Sequence, residues 1–457
     1  MTSKQKLLEK YIQKYISPSQ TKTKTKSQQL PLHTPFLQKW LEKISQPLPP
    51  EIQQQQQSTT KNQKLPNMFD LIPPNILKKE IPKLDQYTNV TFTSHGRPIS
   101  LFFSHTHANI PSPTFIQRCL QVIHTLSEFA PKHCLQPPIH IYIYLTHAQK
   151  TIRHSEDVIP ISTPPPITIG EENVNTAFTT SCDPPHTTSH PKVIENQSPK
   201  EIILFRQEEV FKVLIHELFH TLGLDFSNNQ SQTQQTANML REYLNINLPD
   251  LRLFETYTET WACILNTICL SVWDNQSQTE TERQIQSRFQ KERLFSLWQA
   301  SKVIHYNQTS HSHLNQKCLK PASCFLSPTN RTQRQTQHPN NPKTKSKTKT
   351  QKQNLNKREY KENTQVFCYF LLKAAVFQKI DTFVTQFPPP FNQHNTEENH
   401  VQDFAQFVLE AFQDTDFANK LQKMSALYVK YFHTHPRKEQ GMFDTMRQTV
   451  NEIDILS

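Results

Sequence analysis

The sequence predicts an α+β fold in which a small sheet is followed by a mostly helical C-terminal part. Segments rich in β-branched and aromatic residues, which are typical of strands, occur only before residue 206. Segments with apolar residues at three-to-four spacing, which are typical of helices, dominate after that point. The order of these segments along the chain therefore indicates the fold class.

The sequence predicts four strands and several helices. The predicted strands are residues 99–104, 140–146, 174–180 and 201–205. Between the first two strands, residues 115–130 have helical periodicity. The last strand leads directly into an apolar helical stretch at 210–226. The later predicted helices start near 251 and cover 364–377, 401–412 and 419–432.

Composition divides the 457 residues into four parts. Only 35% of the chain is hydrophobic, and Pro/Gln/Thr/Lys tracts at 17–35, 45–66 and 327–361 lack periodic apolar residues. Such tracts cannot bury enough apolar surface to fold, so we expect them to be disordered. The predicted parts are an N-terminal helix with a disordered segment (1–66), a core (67–326), a basic linker (327–362) and a helical part (363–457).

An H-E-x-x-H motif, His216 to His220, lies in the apolar stretch and specifies a metal site and a base together. Residues four apart share one face of an α-helix, so the two imidazoles can bind one Zn²⁺. Glu217 lies beside that face, where its carboxylate could deprotonate a zinc-bound water. We expect Glu208 and Glu209 in the first turn of this helix, and Gly223 as its C-terminal cap.

A catalytic zinc requires a third protein ligand and an open position for water. Glu255 and Glu259 lie four residues apart on the apolar helix that starts near 251. We expect Glu259, followed by Thr-Trp-Ala, to be the third ligand, with Glu255 as the less favoured alternative. Glu255 is then predicted either to orient a histidine or to be a charge in the first helical turn.

The motif His216-Glu217-x-x-His220 with the downstream Thr258-Glu259-x-Trp-Ala resembles the gluzincin branch of the zincin metallopeptidases. Residues 206–226 also resemble metallopeptidases of large DNA viruses. The resemblance implies a small twisted sheet that backs the active-site helix, with His216, His220 and Glu259 as ligands and Glu217 as catalytic base. It further implies a peptide or protein substrate paired with an edge strand, for which 174–180 is the candidate.

The chain departs from these families in several ways. The long spacing between His220 and Glu259 requires an insertion, and we expect residues 227–248 to loop out. The other zincin branch has a His or Asp three residues after the glycine, whereas this chain has Phe226 there. Asp225 is therefore expected to accept a hydrogen bond from a ligand imidazole rather than to bind metal. No spacing identifies the transition-state donor, for which tyrosines 257 and 306 are available.

The net charge of +11 lies mostly in one tract, because residues 327–361 contain ten basic residues against one acidic residue. The tract lacks the interleaved aromatic residues that stack on bases. A solvated linker is therefore favoured, with polyanion binding or nuclear import as alternatives. If the protein binds nucleic acid, we expect this linker to be responsible.

Cysteine spacing and hydropathy indicate the cellular compartment of the protein. The eight cysteines form no C-x-x-C pair, and Cys263 and Cys269 are predicted to be small core residues, so we expect reduced thiols. No signal peptide or membrane span is evident. We expect an intracellular protein, in the host cytoplasm or the virion if it is viral. The sequence does not indicate an oligomeric state.

The alternatives to a metallopeptidase are a non-proteolytic structural or virion protein on a zinc-bound zincin scaffold and a nucleic-acid-binding protein.

Overall fold

The computed structural model describes residues 29–49, 52, 55–59, 65–135, 137–152, 169–182, 198–244, 246, 248, 250–275, 277–310, 362–391, 400–434 and 445–456. The basic tract 327–361, and with it the predicted nucleic-acid interaction, lies outside these residues.

Within the described residues, six strands form one mixed sheet in the order β1-β2-β3-β4-β6-β5. They are β1 Gln55–Thr59, β2 Gln86–Ser94, β3 Arg97–His105, β4 Ile139–Tyr144, β5 Ala177–Thr179 and β6 Lys200–Leu204. The central β3, β4 and β6 are parallel, whereas β1, β2 and β5 pair antiparallel with their neighbours. Strand β5 therefore forms one edge of the sheet.

Twelve α-helices lie in the described part of the chain. They are α1 Pro35–Ser45, α2 Pro74–Lys79, α3 Pro113–Ser127, α4 Glu171–Val174, α5 Val210–Thr221, α6 Gln230–Leu244, α7 Leu253–Trp273, α8 Gln278–Ser310, α9 Lys373–Val376, α10 Ile380–Gln386, α11 His400–Gln413 and α12 Thr415–Thr434. A π-helical turn, Phe367–Leu372, runs directly into α9. Short 3₁₀ helices cover Phe69–Leu71, Ile81–Lys83, His107–Asn109, Lys132–Leu135 and Phe377–Lys379.

The two faces of the sheet have separate cores. Alternation along β4 sends Ile139, Ile141 and Ile143 into the large core and Tyr142 and Tyr144 into a smaller one. The helix α5 lies on the large-core face, packed against β5 and β6. A strand buried on both faces is typical of the centre of a parallel sheet, which explains why β4 is apolar at nearly every position.

Helix α7 lies at the centre of the large core and ties the C-terminal part to the rest. Its Trp261 is fully buried, stacks edge-on against Phe36 of α1, and packs against Phe383 of α10. The indole nitrogen also donates to the Phe387 carbonyl oxygen at 3.1 Å. The segment after residue 362 therefore shares one core with the sheet and with α1, instead of forming a separate unit.

The structure confirms a mixed α/β fold with a mostly helical C-terminal part. Most of the predicted elements are also found. The strands at 99–104, 140–146 and 201–205 correspond to β3, β4 and β6. The helices at 115–130, 401–412 and 419–432 correspond to α3, α11 and α12. The predicted strand 174–180 is shorter than expected, because residue 174 ends α4 and only Ala177–Thr179 pairs with β6.

Three expectations about irregular segments do not hold for the described residues. The tract 45–66 contains β1, which pairs with β2, and Leu30 in the tract 17–35 is buried, whereas 17–28, 50–51, 53–54 and 60–64 lie outside the described residues. The insertion 227–248 does not loop out, because it forms α6, whose Ala237 and Leu240 are buried in the core. In each case a few apolar or pairing residues inside a polar tract are enough to attach it to an existing surface.

Two further expectations need correction. Helix α5 begins at Val210, so Glu208 and Glu209 precede it, and Glu209 has a left-handed backbone with φ 60°. Cys134 and Cys182 form a disulfide, so the expectation of reduced thiols is wrong for this pair. Cys119, Cys263, Cys269 and Cys368 are free and buried, as expected for the two on α7. Among the described residues, none of the helices is both long and apolar enough to cross a membrane.

Candidate metal centre

Helix α5 contains the H-E-x-x-H motif, is buried along its whole length, and ends one residue after His220. Gly223 adopts φ +64°, a left-handed conformation that glycine accepts without a steric cost. The Gly223 amide donates to the His220 carbonyl at 3.2 Å and the Leu224 amide donates to the Phe219 carbonyl at 2.9 Å. The predicted glycine cap is therefore confirmed, and it fixes the last turn that carries His220.

Three potential ligand atoms meet between α5 and α7. His216 Nε2 lies 3.2 Å from His220 Nε2, and Glu255 Oε2 lies 3.1 Å from the first and 3.6 Å from the second. Ligands about 2.0–2.1 Å from a tetrahedral ion are about 3.3–3.4 Å apart, so the triangle has the size that such an ion needs. These three residues are also fully enclosed, with residue exposures of 6–7%.

The two carboxylates of α7 have the opposite roles to those expected from the sequence. Glu255 reaches the Nε2 atoms of both histidines, whereas Glu259 lies 3.0 Å from Nδ1 of His216 on the far side of the ring. Glu255 and Glu259 are separated by one helical turn, so only one of the two carboxylates can lie next to the Nε2 atoms of both histidines. The structure therefore replaces Glu259 with Glu255 as the third potential ligand, and Glu259 becomes the residue that orients His216.

The hydrogen bond expected between Asp225 and an imidazole is found. His220 Nδ1 lies 2.5 Å from Asp225 Oδ2, so an N–H at Nδ1 can donate to the carboxylate, and Nε2 then keeps a free electron pair. The same carboxylate accepts from Thr258 Oγ1 at 3.1 Å and from Ser227 Oγ at 2.8 Å. Each imidazole is thus oriented by its own carboxylate.

Glu259 is itself held by two buried lysines. Lys212 Nζ lies 2.9 Å from both of its carboxylate oxygens, and Lys373 Nζ lies 3.2 Å from Oε1. Burial alone would raise the pKa of the Glu259 carboxyl, but the two ammonium groups hold that pKa well below its usual value. Glu259 is therefore an anion at neutral pH, which suits it to accept a hydrogen bond from His216 Nδ1.

Glu217 borders a cavity of about 20 Å³ beside His216, and Tyr369 lines the same cavity. A cavity needs about 10–15 Å³ to hold one water molecule, so this cavity has room for roughly one water molecule. Within the described part of the chain, the Glu217 carboxylate has no hydrogen-bond partner, and burial raises its pKa. It is thus a buried carboxylate that is free to interact with a small molecule in the cavity.

Tyr369 is the residue that the sequence did not reveal. Its hydroxyl donates to Glu255 Oε2 at 3.3 Å, and its ring packs edge-on against His216. It comes from the π-helical turn, more than ninety residues after the end of α7, so no local spacing could identify it. The two tyrosines considered from sequence lie elsewhere: Tyr257 packs among phenylalanines and Tyr306 is buried on α8.

The edge of the sheet lies beside this cavity. Val174, Thr176 and Ala177, which lead into β5, line it together with Glu217. Strand β5 pairs only with β6 among the described residues, so its other edge faces away from the sheet. The predicted position of the candidate peptide-binding strand next to the motif is therefore found, although the strand is short.

The charge around the histidines favours protonation of the rings. Burial lowers the pKa of His220, but Asp225 and Glu255 raise it well above its ordinary value. For His216, burial is likewise outweighed by Glu255 and Glu259, which raise the pKa. An arrangement of carboxylates that stabilises positive charge at this point also suits a metal cation.

Another cluster, His133, Cys134 and Cys182, has potential ligand atoms within 4.8 Å of one another. Two of its three members form the disulfide, so their sulfurs are not thiolates. This cluster supports the end of α5 instead, because the Cys182 amide donates to the His220 carbonyl at 3.1 Å.

Comparison with known proteins gives one limited similarity. The chain is 28% identical over 121 residues to a protein of Acanthamoeba polyphaga mimivirus described as uncharacterized protein R210. The match covers 25% of this chain and 29% of that protein, so the chain spans less than a third of the relative's length. No protein family and no solved structure matches the chain.

Proposed function

We propose that this protein is a zinc-dependent metallopeptidase with a zincin-like fold. In this proposal His216, His220 and Glu255 bind Zn²⁺ and Glu217 is the general base. The observation that carries it is the triangle of 3.1–3.6 Å formed by two Nε2 atoms and one carboxylate oxygen. A helix with H-E-x-x-H, packed on a sheet with a short edge strand beside it, supports the same conclusion.

The donor set favours zinc over other common ions. Two imidazole nitrogens and one carboxylate oxygen are typical of catalytic zinc sites, which leave the fourth position open. Calcium and magnesium prefer oxygen ligands, and the histidines supply nitrogen. The carboxylates of Asp225 and Glu259 on the two Nδ1 atoms provide the outer hydrogen bonds that such sites usually have.

The residues around the cavity fit peptide hydrolysis. A bound zinc ion would lower the pKa of water toward about 7 and polarise a carbonyl group. Glu217 would accept the proton of the attacking water and later donate it to the leaving amine. The Tyr369 hydroxyl, 3.3 Å from Glu255 Oε2, is positioned to donate to an oxygen that becomes negative during the reaction.

One observation supports a second candidate function. The cavity of about 20 Å³ accommodates a water molecule but not a peptide. Asn175, which lines this cavity, is in contact with the 362–369 segment, because Thr364 Oγ1 donates to Asn175 Oδ1 at 3.1 Å. A protein that keeps these contacts permanently would be a non-proteolytic, zinc-stabilised structural protein. A peptidase must separate them to admit its substrate.

Elemental analysis and a peptide-library cleavage assay on wild type, Glu217→Gln and His216→Ala test both functions. For a peptidase we expect about one zinc per chain and cleavage in wild type. Glu217→Gln should keep the zinc and lose cleavage by about 10²–10⁴-fold, and His216→Ala should lose the zinc. Zinc without cleavage in wild type would favour the structural protein, and no zinc in wild type would contradict both.

A further inference from the structure

The segment 445–456, here called the strap, contains no helix or strand, yet part of it, residues 446–449, lies largely in the interior. Met446 and Thr449 are fully buried, and the Met446 amide donates to the Lys150 carbonyl at 2.8 Å. The amides of Gln448 and Thr449 donate to Glu209 Oε1 at 2.7 and 2.6 Å. Irregular backbone at this depth requires partners for its polar groups, and the strap obtains them from elements far away in sequence.

Gln448 of the strap supplies one oxygen to each of the two lysines that hold Glu259. Its side-chain Oε1 accepts from Lys212 Nζ at 2.7 Å, and its carbonyl oxygen accepts from Lys373 Nζ at 2.7 Å. Among the described residues, Cys263 Sγ is a further hydrogen-bond partner of Lys373, at 3.7 Å. Each ammonium group has three N–H donors, so Gln448 completes the hydrogen bonding of both.

These contacts matter because two positive charges share one carboxylate. Lys212 and Lys373 repel each other, and Glu259 is the carboxylate that bonds to both, whereas Glu209 and Glu292 act on them through charge alone. A buried ammonium is costly unless its N–H groups have acceptors, so acceptors besides Glu259 stabilise this arrangement. The two Gln448 oxygens keep the lysines in positions from which Glu259 can face His216 Nδ1 at 3.0 Å.

We infer that Gln448 is a positioning residue of the metal centre: it acts through Lys212, Lys373 and Glu259 to orient His216. The inference rests on the proposed function, since it assumes that His216 binds a metal. Gln448 also borders the cavity that contains Glu217, so the strap is part of the wall of the site.

Zinc binding to the full chain, measured by competition with a chromophoric chelator, tests the inference. Gln448→Met preserves size but removes Oε1, and we expect zinc affinity to fall about tenfold, at the lower end of effects for outer hydrogen-bond partners. Gln448→Glu restores an acceptor for Lys212 and should bind zinc as wild type does. Gln448→Asn, which is shorter, gives a second variant in case Gln448→Met does not fold.

Thr449→Val is the matched control. Thr449 is equally buried in the strap, and its hydroxyl donates to Glu292 Oε2 at 2.7 Å without touching either lysine. We expect this variant to lose stability in urea but to bind zinc as wild type does. The Co²⁺-substituted protein provides a second readout, since its absorption bands should shift in Gln448→Met and not in Thr449→Val.

The outcomes separate this inference from the proposed function. Zinc binding and cleavage in wild type, with Gln448→Met and Gln448→Asn unchanged in affinity and Co²⁺ spectrum, would overturn the inference alone. An equal loss of affinity in Thr449→Val would also overturn it, because the strap would then act only through stability. Wild type that binds no zinc would overturn the proposed function together with the inference.

Discussion

The exchange of roles between Glu255 and Glu259 gives the sharpest test of the metal centre. We consider Glu255→Gln and Glu259→Gln, because each keeps the size of the side chain and removes its charge. Under the proposed function, the first variant loses a zinc ligand. The second loses the group that orients His216 and neutralises two buried lysines.

The expected magnitudes differ in two measurements. Structural zinc sites with four ligands bind with about 10–16 kcal/mol, or roughly 3–4 kcal/mol per ligand, so Glu255→Gln should weaken zinc binding by about 10²–10³-fold. Glu259→Gln should weaken zinc binding by about 10–100-fold, as for other outer hydrogen-bond partners.

Stability of the metal-free protein separates the variants more clearly. Removing one partner of a buried ion pair typically costs about 3–5 kcal/mol, and Glu259 is the carboxylate partner of both Lys212 and Lys373. Glu255 has no lysine partner among the described residues, and its histidines can lose their protons. Glu255→Gln should therefore destabilise the metal-free protein by only about 1 kcal/mol, the worth of a hydrogen bond.

The assays are zinc competition with a chelator and urea unfolding of the metal-free protein at pH 8. The reasoning fails if Glu259→Gln abolishes zinc binding while Glu255→Gln binds normally. That result would return the ligand role to the residue favoured by the sequence. Equal destabilisation of the two metal-free variants would contradict the account of the lysines.

Three further predictions follow from single residues. Burial raises the pKa of Glu209, but Lys150 and Lys212 hold it at about 2, so its stabilisation is fully present above about pH 4.5 and is lost as the pH falls toward 2. Between about pH 4.5 and pH 2, the free energy of unfolding measured in urea should therefore fall by about 3 kcal/mol less in Glu209→Gln than in wild type. An equal fall in both proteins would refute this. Gly223→Ala should destabilise by about 3 kcal/mol, because its Cβ would meet Cys134 Sγ at 2.6 Å in a left-handed conformation. Gly96→Ala, at φ +77° with nothing within 4 Å, should cost only about 1–2 kcal/mol, and equal losses would contradict the packing argument. Tyr369→Phe, assayed at saturating zinc because its hydroxyl also bonds Glu255, should lower kcat about 10²-fold, and normal turnover would exclude this hydroxyl as a donor.

The sequence alone determined the features that depend on local spacing. The i, i+4 separation of His216 and His220 places them on one helix face in any α-helix, and the structure shows their Nε2 atoms 3.2 Å apart. Gly223 and Asp225 were recognised for the same reason, since both act within one turn of His220. The central strands were also predictable, because continuous apolar runs are typical of strands buried on both faces.

Only the tertiary structure decided which side chains from separate elements meet. Glu255 and Glu259 lie on the same helix one turn apart, so the choice between them depends on how α7 is rotated and translated against α5. Tyr369 and Gln448 reach the site from segments more than a hundred residues downstream, and no spacing within the chain encodes their arrival. Helix periodicity fixes which residues share a face, whereas packing of the whole core fixes what that face meets.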